Sequence, residues 1–222
     1  PSDTKMIDRH MIRRLVHGAY QIARLVMEEK DYIWGYAAAT PDEAALLRKK
    51  GIRKPILVLG CTFPEQRDDM IMQEIRMTCY TREMAKDVSE RAQRLGKTAY
   101  IHVKLDTGMS RLGFLINEAN ADTIAQITRL PGVEAEGMFT HFSKADETDK
   151  SFTRGQMEKY LWMRSRLADR GVTFRFCHCS NSAGIIDMPE AAMDLVRAGN
   201  AMYGLYPSRE VEEDLGPLKP AL

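Results

Sequence analysis

Seven apolar runs with the length and composition of β-strands recur along the chain, and helical patterns separate them. Their alternation with helices favours parallel βα units, in which both faces of each strand are buried. Two α/β architectures fit this order, a doubly wound sheet and a (β/α)8 barrel. The predicted strands are residues 31–39, 55–60, 75–80, 98–106, 133–142, 174–180 and 194–204.

Capping residues mark the predicted helix ends between these strands. Thr40 and Glu43 have the spacing of a capping box, with Pro41 at the first helical position. Thr81 opens another helix, and Gly96 closes it. Further helical patterns cover residues 118–130 and 150–170.

Polar residues at the ends of the predicted strands decide between the two architectures. The glycine-rich fingerprints of nucleotide-binding doubly wound sheets are absent from the sequence. In a barrel, the carboxyl ends of the strands form the rim on which active sites lie. The sequence therefore predicts a (β/α)8 TIM-type barrel that is one strand short of eight. The rim residues are Lys104, Asp106, His141, Asn181, Ser182 and Arg197.

Charge and hydropathy exclude several classes of protein. The 222 residues carry a formal net charge of +1, which gives no electrostatic basis for binding nucleic acid or an anionic membrane. No apolar run approaches the roughly 20 residues needed to span a bilayer, and the first residues lack the apolar core of a signal peptide. We expect neither a nucleic-acid partner nor a membrane partner.

The four cysteines do not have the spacing of a metal or redox site. Cys177 and Cys179 flank His178, but on a strand the two thiols face away from the imidazole. We therefore expect no metal ion and a reduced, cytoplasmic protein.

Two strand ends have the features of a phosphate site. Ser182 follows one predicted strand and begins a helix, and Gly199 follows the next strand and permits a close backbone approach. The loops after the last two barrel strands often hold phosphate. The alternative is a pair of tight turns with an incidental serine and glycine. Likewise, His141 alone is better explained as a buried, hydrogen-bonded histidine.

Five stretches in one order resemble the barrel domain of alanine racemase, a pyridoxal-phosphate enzyme. They cover the chain from about residue 18 to the end. The stretches are PDEAALLRKKGIRKPILVLG, HVKLDTGMSRLGF, EGMFTHFSKADE, HCSNSAG and LVRAGNAMYGLYPS.

The resemblance implies a role for each matching residue. Arg111 corresponds to an arginine that contacts the cofactor and the substrate carboxylate, and Lys104 to a lysine that is often carbamylated and supports that arginine. His141 corresponds to a histidine that lines the cofactor, and Arg197 to the residue that faces the pyridine nitrogen. The phosphate would lie against Asn181, Ser182, Gly199 and Asn200, although many relatives have isoleucine in place of Asn200.

The resemblance also implies function and organisation. It predicts a cytoplasmic enzyme that interconverts L-alanine and D-alanine with pyridoxal 5'-phosphate and supplies D-alanine for the bacterial cell wall. The substrate would be a small amino acid and the family assembly a homodimer. Residues 1–222 would form a partial barrel domain that lacks the family's C-terminal β domain and hence a catalytic tyrosine.

The start of the chain departs from the family pattern. An ungapped alignment on His17-Gly18 places Met11 where the family has its Schiff-base lysine, and methionine has no amine to bind the cofactor. A helical stripe of apolar residues begins at Ile12, where the family has its first strand. We expect that strand to be missing and the barrel edges to promote aggregation. Lys5 is a less favoured replacement for the amine.

These departures leave three interpretations open. The first is an alanine racemase barrel whose catalysis is impaired, by a disturbed reading frame or a damaged gene copy. The second is a noncatalytic or degenerate barrel that still binds pyridoxal phosphate. The third is a racemase domain that prefers serine.

Overall fold

The computed structural model describes residues 5–8, as backbone, and residues 30–211. Eight parallel strands follow one another in a single path through these residues, and helices lie between most of them. The strands are β1 (Lys5–Asp8), β2 (Ile33–Ala38), β3 (Ile56–Val58), β4 (Arg76–Cys79), β5 (Ala99–Asp106), β7 (Val133–Phe139), β8 (Phe176–His178) and β9 (Leu195–Val196), and a two-residue strand, β6 (Phe114–Leu115), pairs β5 alone.

The hydrogen-bonded order of the strands is β8-β7-β5-β4-β3-β2-β1-β9. Backbone bonds also join the two ends of this path: Asp194 N donates to Cys177 O at 3.1 Å, and Arg197 N donates to Ser180 O at 3.0 Å. The parallel strands thus form the predicted barrel. The helices are α1 (Pro41–Lys49), α2 (Pro64–Met72), α3 (Arg82–Leu95), α4 (Glu118–Ile127), α5 (Ser151–Ala168) and α6 (Ser182–Asp187).

The expectation of a missing first strand is wrong. Lys5–Asp8 form β1, which pairs β2 on one side and β9 on the other. The apolar pattern did not reveal this strand because it is only four residues long and its partners lie far along the chain. Since both neighbours pair with it, the argument for aggregation from two open edges is removed. The helical stripe and Met11 lie outside the described residues.

Two helix starts confirm the capping signals. Glu43 N donates to Thr40 Oγ1, and the Glu43 carboxylate accepts from the Thr40 backbone, so the capping box is formed. Thr81 Oγ1 accepts from Met84 N at 3.1 Å, and Gly96 ends that helix with φ at 62°. Helix α2 and the strand β6 were not predicted.

The strands separate an outer apolar layer from an interior that holds polar side chains beside a smaller apolar cluster. On β5, Ile101, Val103 and Leu105 pack with the helices in the main hydrophobic cluster. His102 and Lys104 alternate with them on β5, and successive residues of a strand face opposite sides, so both point into the barrel. Each is almost fully buried. The alternation that the sequence shows is therefore the alternation between outer layer and barrel interior.

Candidate active site

A cavity of about 210 Å³ lies where β7, β8 and β9 end. This is the rim at which (β/α)8 barrels hold their active sites. All six residues predicted to bind the cofactor line it. They are His141, Asn181, Ser182, Arg197, Gly199 and Asn200, and the rest of the wall includes Met109, Phe142, Ser143 and Asp146.

Ser182 ties together the two loops of the predicted phosphate site. Its Oγ accepts from Gly199 N at 2.8 Å and from Ala201 N at 3.3 Å. A hydroxyl has two acceptor positions and one O–H, so the O–H is the group left to donate to an anion. Asn181 caps α6 by accepting from Gly184 N at 3.0 Å. The donors at this end of the cavity suit a phosphate group.

Arg197 is buried at the wall of the same cavity, with 1% of its surface exposed. Its NH2 group donates to Thr140 O at 2.8 Å and to Cys179 O at 2.9 Å, and its NH1 group lies 2.6 Å from His178 Nδ1. These contacts on several sides fix the plane of the guanidinium. A fixed positive charge at this wall fits a neighbouring ring nitrogen that stays unprotonated, because two adjacent positive charges repel.

His141 lies beside Arg197 and is 7% exposed. Its Nδ1 is 3.4 Å from Arg197 NH2, and its carbonyl accepts from Gln156 Nε2 at 3.2 Å. Thr107 Oγ1 accepts from the same Gln156 amide at 3.1 Å. The His141 backbone is thus held by α5, which the sequence did not reveal because Gln156 lies on a different element, 15 residues further along the chain.

Lys104 and Arg111 do not line the cavity. The Lys104 ammonium donates to Leu105 O at 2.7 Å and lies 5.4 Å from the centre of the Phe139 ring. Arg111 is exposed on the loop between β5 and β6. Asp106 Oδ1 accepts from Gly108 N and from Ser110 N, each at 3.0 Å, so its carboxylate shapes the turn that precedes Arg111.

His102 and Glu136 are polar groups of the barrel interior that the sequence analysis passed over. His102 Nδ1 lies 2.9 Å from His178 Nε2, and its Nε2 lies 3.5 Å from Glu136 Oε2. The signal was present, because each is a titratable residue within a predicted strand. Only the pairing of β5 with β7 and of β7 with β8 brings them together.

The side chains around His178 face in different directions, as expected for a strand. His178 contacts Arg197 inside the barrel, whereas Cys179 Sγ donates to Ala191 O at 3.2 Å. In the part of the chain that the structure describes, no group of three or more histidine, cysteine or acidic residues has the arrangement of a metal site. Within the same part, no helix combines the length and hydropathy needed to cross a membrane.

Comparison with known families bears out the resemblance on which the site assignments depend. The family model for the N-terminal domain of alanine racemase matches residues 15–207. The chain belongs to this family. Met11 precedes the matched segment, whereas every residue that lines the cavity lies within it.

Two relatives show how much of the family architecture the chain covers. It is 41% identical to an alanine racemase of Desulforamulus reducens over 93% of its own length and 55% of that protein. It is 42% identical to an alanine racemase of Clostridium tetani, again over 93% of its length and 53% of the relative. The chain thus spans about half the length of the curated relatives it matches.

Solved structures give the same result for the fold. Alanine racemase of Clostridium difficile 630 in complex with cycloserine superposes with a TM-score of 0.94 at 40% identity, covering 99% of this chain and 60% of that one. A histidine racemase from Leuconostoc mesenteroides subsp. sake superposes with a TM-score of 0.87 at 25% identity, covering 99% and 58%. The same barrel therefore occurs in racemases named for different substrates.

Proposed function

We propose that this chain is the cofactor-binding barrel of an alanine racemase and binds pyridoxal 5'-phosphate in the cavity at the ends of β7, β8 and β9. The observation that carries the proposal is the convergence of the Ser182 hydroxyl, the Gly199 backbone and the Arg197 guanidinium on one cavity. In this proposal Asn181, Ser182, Gly199 and Asn200 hold the phosphate, and His141 and Arg197 hold the ring.

The chemistry follows from what each group does at this wall. When bound, pyridoxal phosphate supplies the electron sink that makes the α-proton of an amino acid acidic. Arg197 would face the ring nitrogen, and its positive charge would disfavour ring protonation and limit side reactions. Ser182 and the loop at Gly199 would hold the phosphate end and so fix the orientation of the cofactor at the rim.

Arg111 and Lys104 complete the proposed site from the other side of the rim. Arg111 is exposed on its loop and would bind the substrate carboxylate by paired, charge-assisted hydrogen bonds. Lys104 is buried beside a backbone carbonyl, and conversion of its amine to a carbamate would replace a buried cation with an anion that attracts Arg111. Incorporation of carbon-13 bicarbonate at Lys104, followed by NMR, tests this assignment.

The alternative is a barrel that binds the cofactor without catalysis, and one observation supports it for this chain. No lysine is found among the described residues that line the cavity, in keeping with the prediction from the sequence that Met11 stands at the amine position. Lys5 pairs with Leu195, two residues before Arg197, and lies at the start of β1 rather than at its rim end. Its register makes it a poor replacement. We propose that the chain's own racemisation is impaired.

Titration of the purified chain with pyridoxal phosphate tests both versions. We expect saturable binding that borohydride does not convert into a covalent lysine adduct, and slow or absent racemisation of alanine. Ser182→Ala should weaken binding because the anion loses its hydroxyl donor, whereas Ser165→Ala, on the exposed face of α5, should not. A trapped lysine with alanine turnover would overturn the noncatalytic version, and absence of binding would overturn the proposed function.

The proposal also covers the substrate, the oligomeric state and the cellular location of the protein. We propose a small amino acid, with alanine first and serine as the alternative, and D-alanine supply for the cell wall as the purpose. Because one structural neighbour is a histidine racemase, the assay should compare alanine, serine and histidine. We also propose a cytoplasmic protein that acts as a homodimer. The assignment of residues 1–222 to one partial barrel domain stays a prediction.

A further inference from the structure

A line of polar groups crosses the buried interior of the barrel from its rim toward its amino-terminal end. It begins at Arg197 on the cavity wall, passes through His178 and His102, and ends at Glu136. The four residues are each at most 4% exposed. Polar groups buried this deeply destabilise a fold unless they are paired, so their arrangement needs a physical reason.

The donor and acceptor roles along this line follow from its first member. A guanidinium has only donors, so His178 Nδ1 must accept from Arg197 at 2.6 Å. In a neutral imidazole the other nitrogen then carries the proton, and His178 Nε2 donates to His102 Nδ1 at 2.9 Å. By the same rule His102 Nε2 carries a proton, and it faces Glu136 Oε2 at 3.5 Å, an electrostatic contact longer than a hydrogen bond.

Glu136, at the far end of the line, is negatively charged, which suits the N–H group that His102 directs toward it. Burial alone raises the pKa of Glu136, but the interactions with His102 and Arg76 outweigh it and lower the pKa to about 2. Arg76 Nε donates to Glu136 Oε2 at 3.0 Å. Burial lowers the pKa of His102, and burial together with Arg197 lowers that of His178, so both rings are neutral. Two arginines at opposite ends are thus connected through one carboxylate and two neutral imidazoles.

The backbone is shaped to allow this contact. The pairing of β5 with β7 shifts between Ile101 and His102, and Glu136 is the extra residue on β7 at that shift. A bulge of this kind re-aims a side chain that the regular alternation would direct elsewhere. Gly137 follows at once, and a Cβ there would lie 2.5 Å from His102 Nδ1. Bulge and glycine together make room for the His102–His178 contact.

We propose that His102 and Glu136 are positioning residues for Arg197, acting through His178 along a one-way relay of hydrogen bonds. Its importance for cofactor chemistry rests on the proposed function, because that proposal gives Arg197 the ring nitrogen. Arg197 only donates and the Glu136 carboxylate only accepts, whereas each imidazole accepts at Nδ1 and carries its proton at Nε2. The relay therefore holds both imidazoles in the Nε2–H form. The anionic end makes His178 Nδ1 a better acceptor for Arg197.

Nitrogen-15 NMR of the histidine rings in the full chain tests the relay without any cofactor. We expect His102 and His178 to show protonated Nε2 and unprotonated Nδ1 near neutral pH. The Glu136→Gln variant should shift the ring signals of His178, which Glu136 does not touch. Glu134→Gln removes an exposed charge from the same strand and should leave those signals unchanged. A structural defect alone would lower stability without this selective shift.

The outcomes that overturn the relay differ from those that overturn the proposed function. An Nδ1–H form or a doubly protonated ring at either histidine in the unsubstituted chain overturns the relay, even if Glu136→Gln does not fold. An unchanged His178 signal in a folded Glu136→Gln variant also overturns it. Failure of the chain to bind pyridoxal phosphate overturns the proposed function and leaves the relay standing. If both hold, Glu136→Gln should bind the cofactor several-fold more weakly than Glu134→Gln.

Discussion

At the scale of single residues, the barrel interior combines charge with close packing. Phe139 stacks on His178 with ring centres 4.7 Å apart, and the Lys104 and Arg197 cations each lie 5.4 Å from the Phe139 ring. Aromatic faces attract cations, so this ring separates two positive charges while interacting with both. Glu136 supplies the compensating negative charge nearer the amino-terminal end of the barrel. The stability of the fold therefore depends on protonation states as well as on apolar burial.

The first prediction concerns the pH dependence of stability. Glu136 has a folded pKa below the unfolded value of 4.5, so it stabilises the protein above pH 4.5 and loses that contribution as the pH falls toward about 2. The full contribution is on the order of 3 kcal/mol. The lowered pKa values of His102 and His178 act in the same direction, and their contribution falls as the pH drops below 6.5.

Urea unfolding at a series of pH values measures this dependence. We expect stability to decline from about pH 6.5 and to decline more steeply below about pH 4.5. Glu136→Gln should reduce the steeper loss below pH 4.5, whereas Glu134→Gln should retain it. Equal acid profiles for these two variants would show that Glu136 is not the group responsible.

The second prediction concerns the glycine beside the histidine pair. Gly137→Ala would place a methyl group 2.5 Å from His102 Nδ1, an atom already engaged with His178, so the ring must move. Such crowding in a packed interior costs about 1–3 kcal/mol. Gly155→Ala is the matched control, because nothing lies within 4 Å of its added Cβ on α5 and alanine favours a helix. Urea unfolding should separate the two, and equal stabilities would contradict the steric argument.

At the scale of elements, capping residues and close packing set where helices begin and end. In α3 the Thr81 hydroxyl holds the first turn, Gly96 ends the helix in the left-handed region, and Met84, Val88 and Ala92 pack against the barrel. These signals are local, so the sequence predicted the helix. The sequence did not predict helix α2, because Phe63, its N-cap, offers no side-chain hydrogen bond that marks the start.

The third prediction tests that capping contribution. Thr81→Ala removes the acceptor for Met84 N and should lower the free energy of unfolding by about 1 kcal/mol. Thr123→Ala is a suitable control, since Thr123 is only partly buried within α4 and its hydroxyl bonds back to Ala119 O. Chemical denaturation of the two variants measures the difference. A loss at Thr123 as large as that at Thr81 would mean that the cap is not the cause.

At the scale of the whole molecule, local sequence signals predicted most of the strands and helices. How the strands pair depends on contacts between distant parts of the chain. The apolar runs around β2 to β5 and β7 to β9 are recognisable in the sequence, and the rim residues His141, Ser182 and Arg197 converge on one cavity. Strand β1 depends on partners at β2 and β9, which no local pattern specifies. The His102–Glu136 contact depends on a one-residue shift between two strands, which composition and periodicity do not encode.

The last prediction follows from the position of β1 between two strands. Proline lacks the backbone N–H and disrupts a strand that is paired on both sides, so Ile7→Pro should open the barrel between β2 and β9. Open strand edges promote association, and we expect oligomers in sedimentation velocity and a less cooperative urea transition. In the control Asp31→Pro, proline occupies the second position of the turn closed by the bond from Ile33 N to Lys30 O, where it is favoured. If Ile7→Pro sediments and unfolds like Asp31→Pro, β1 does not close the barrel.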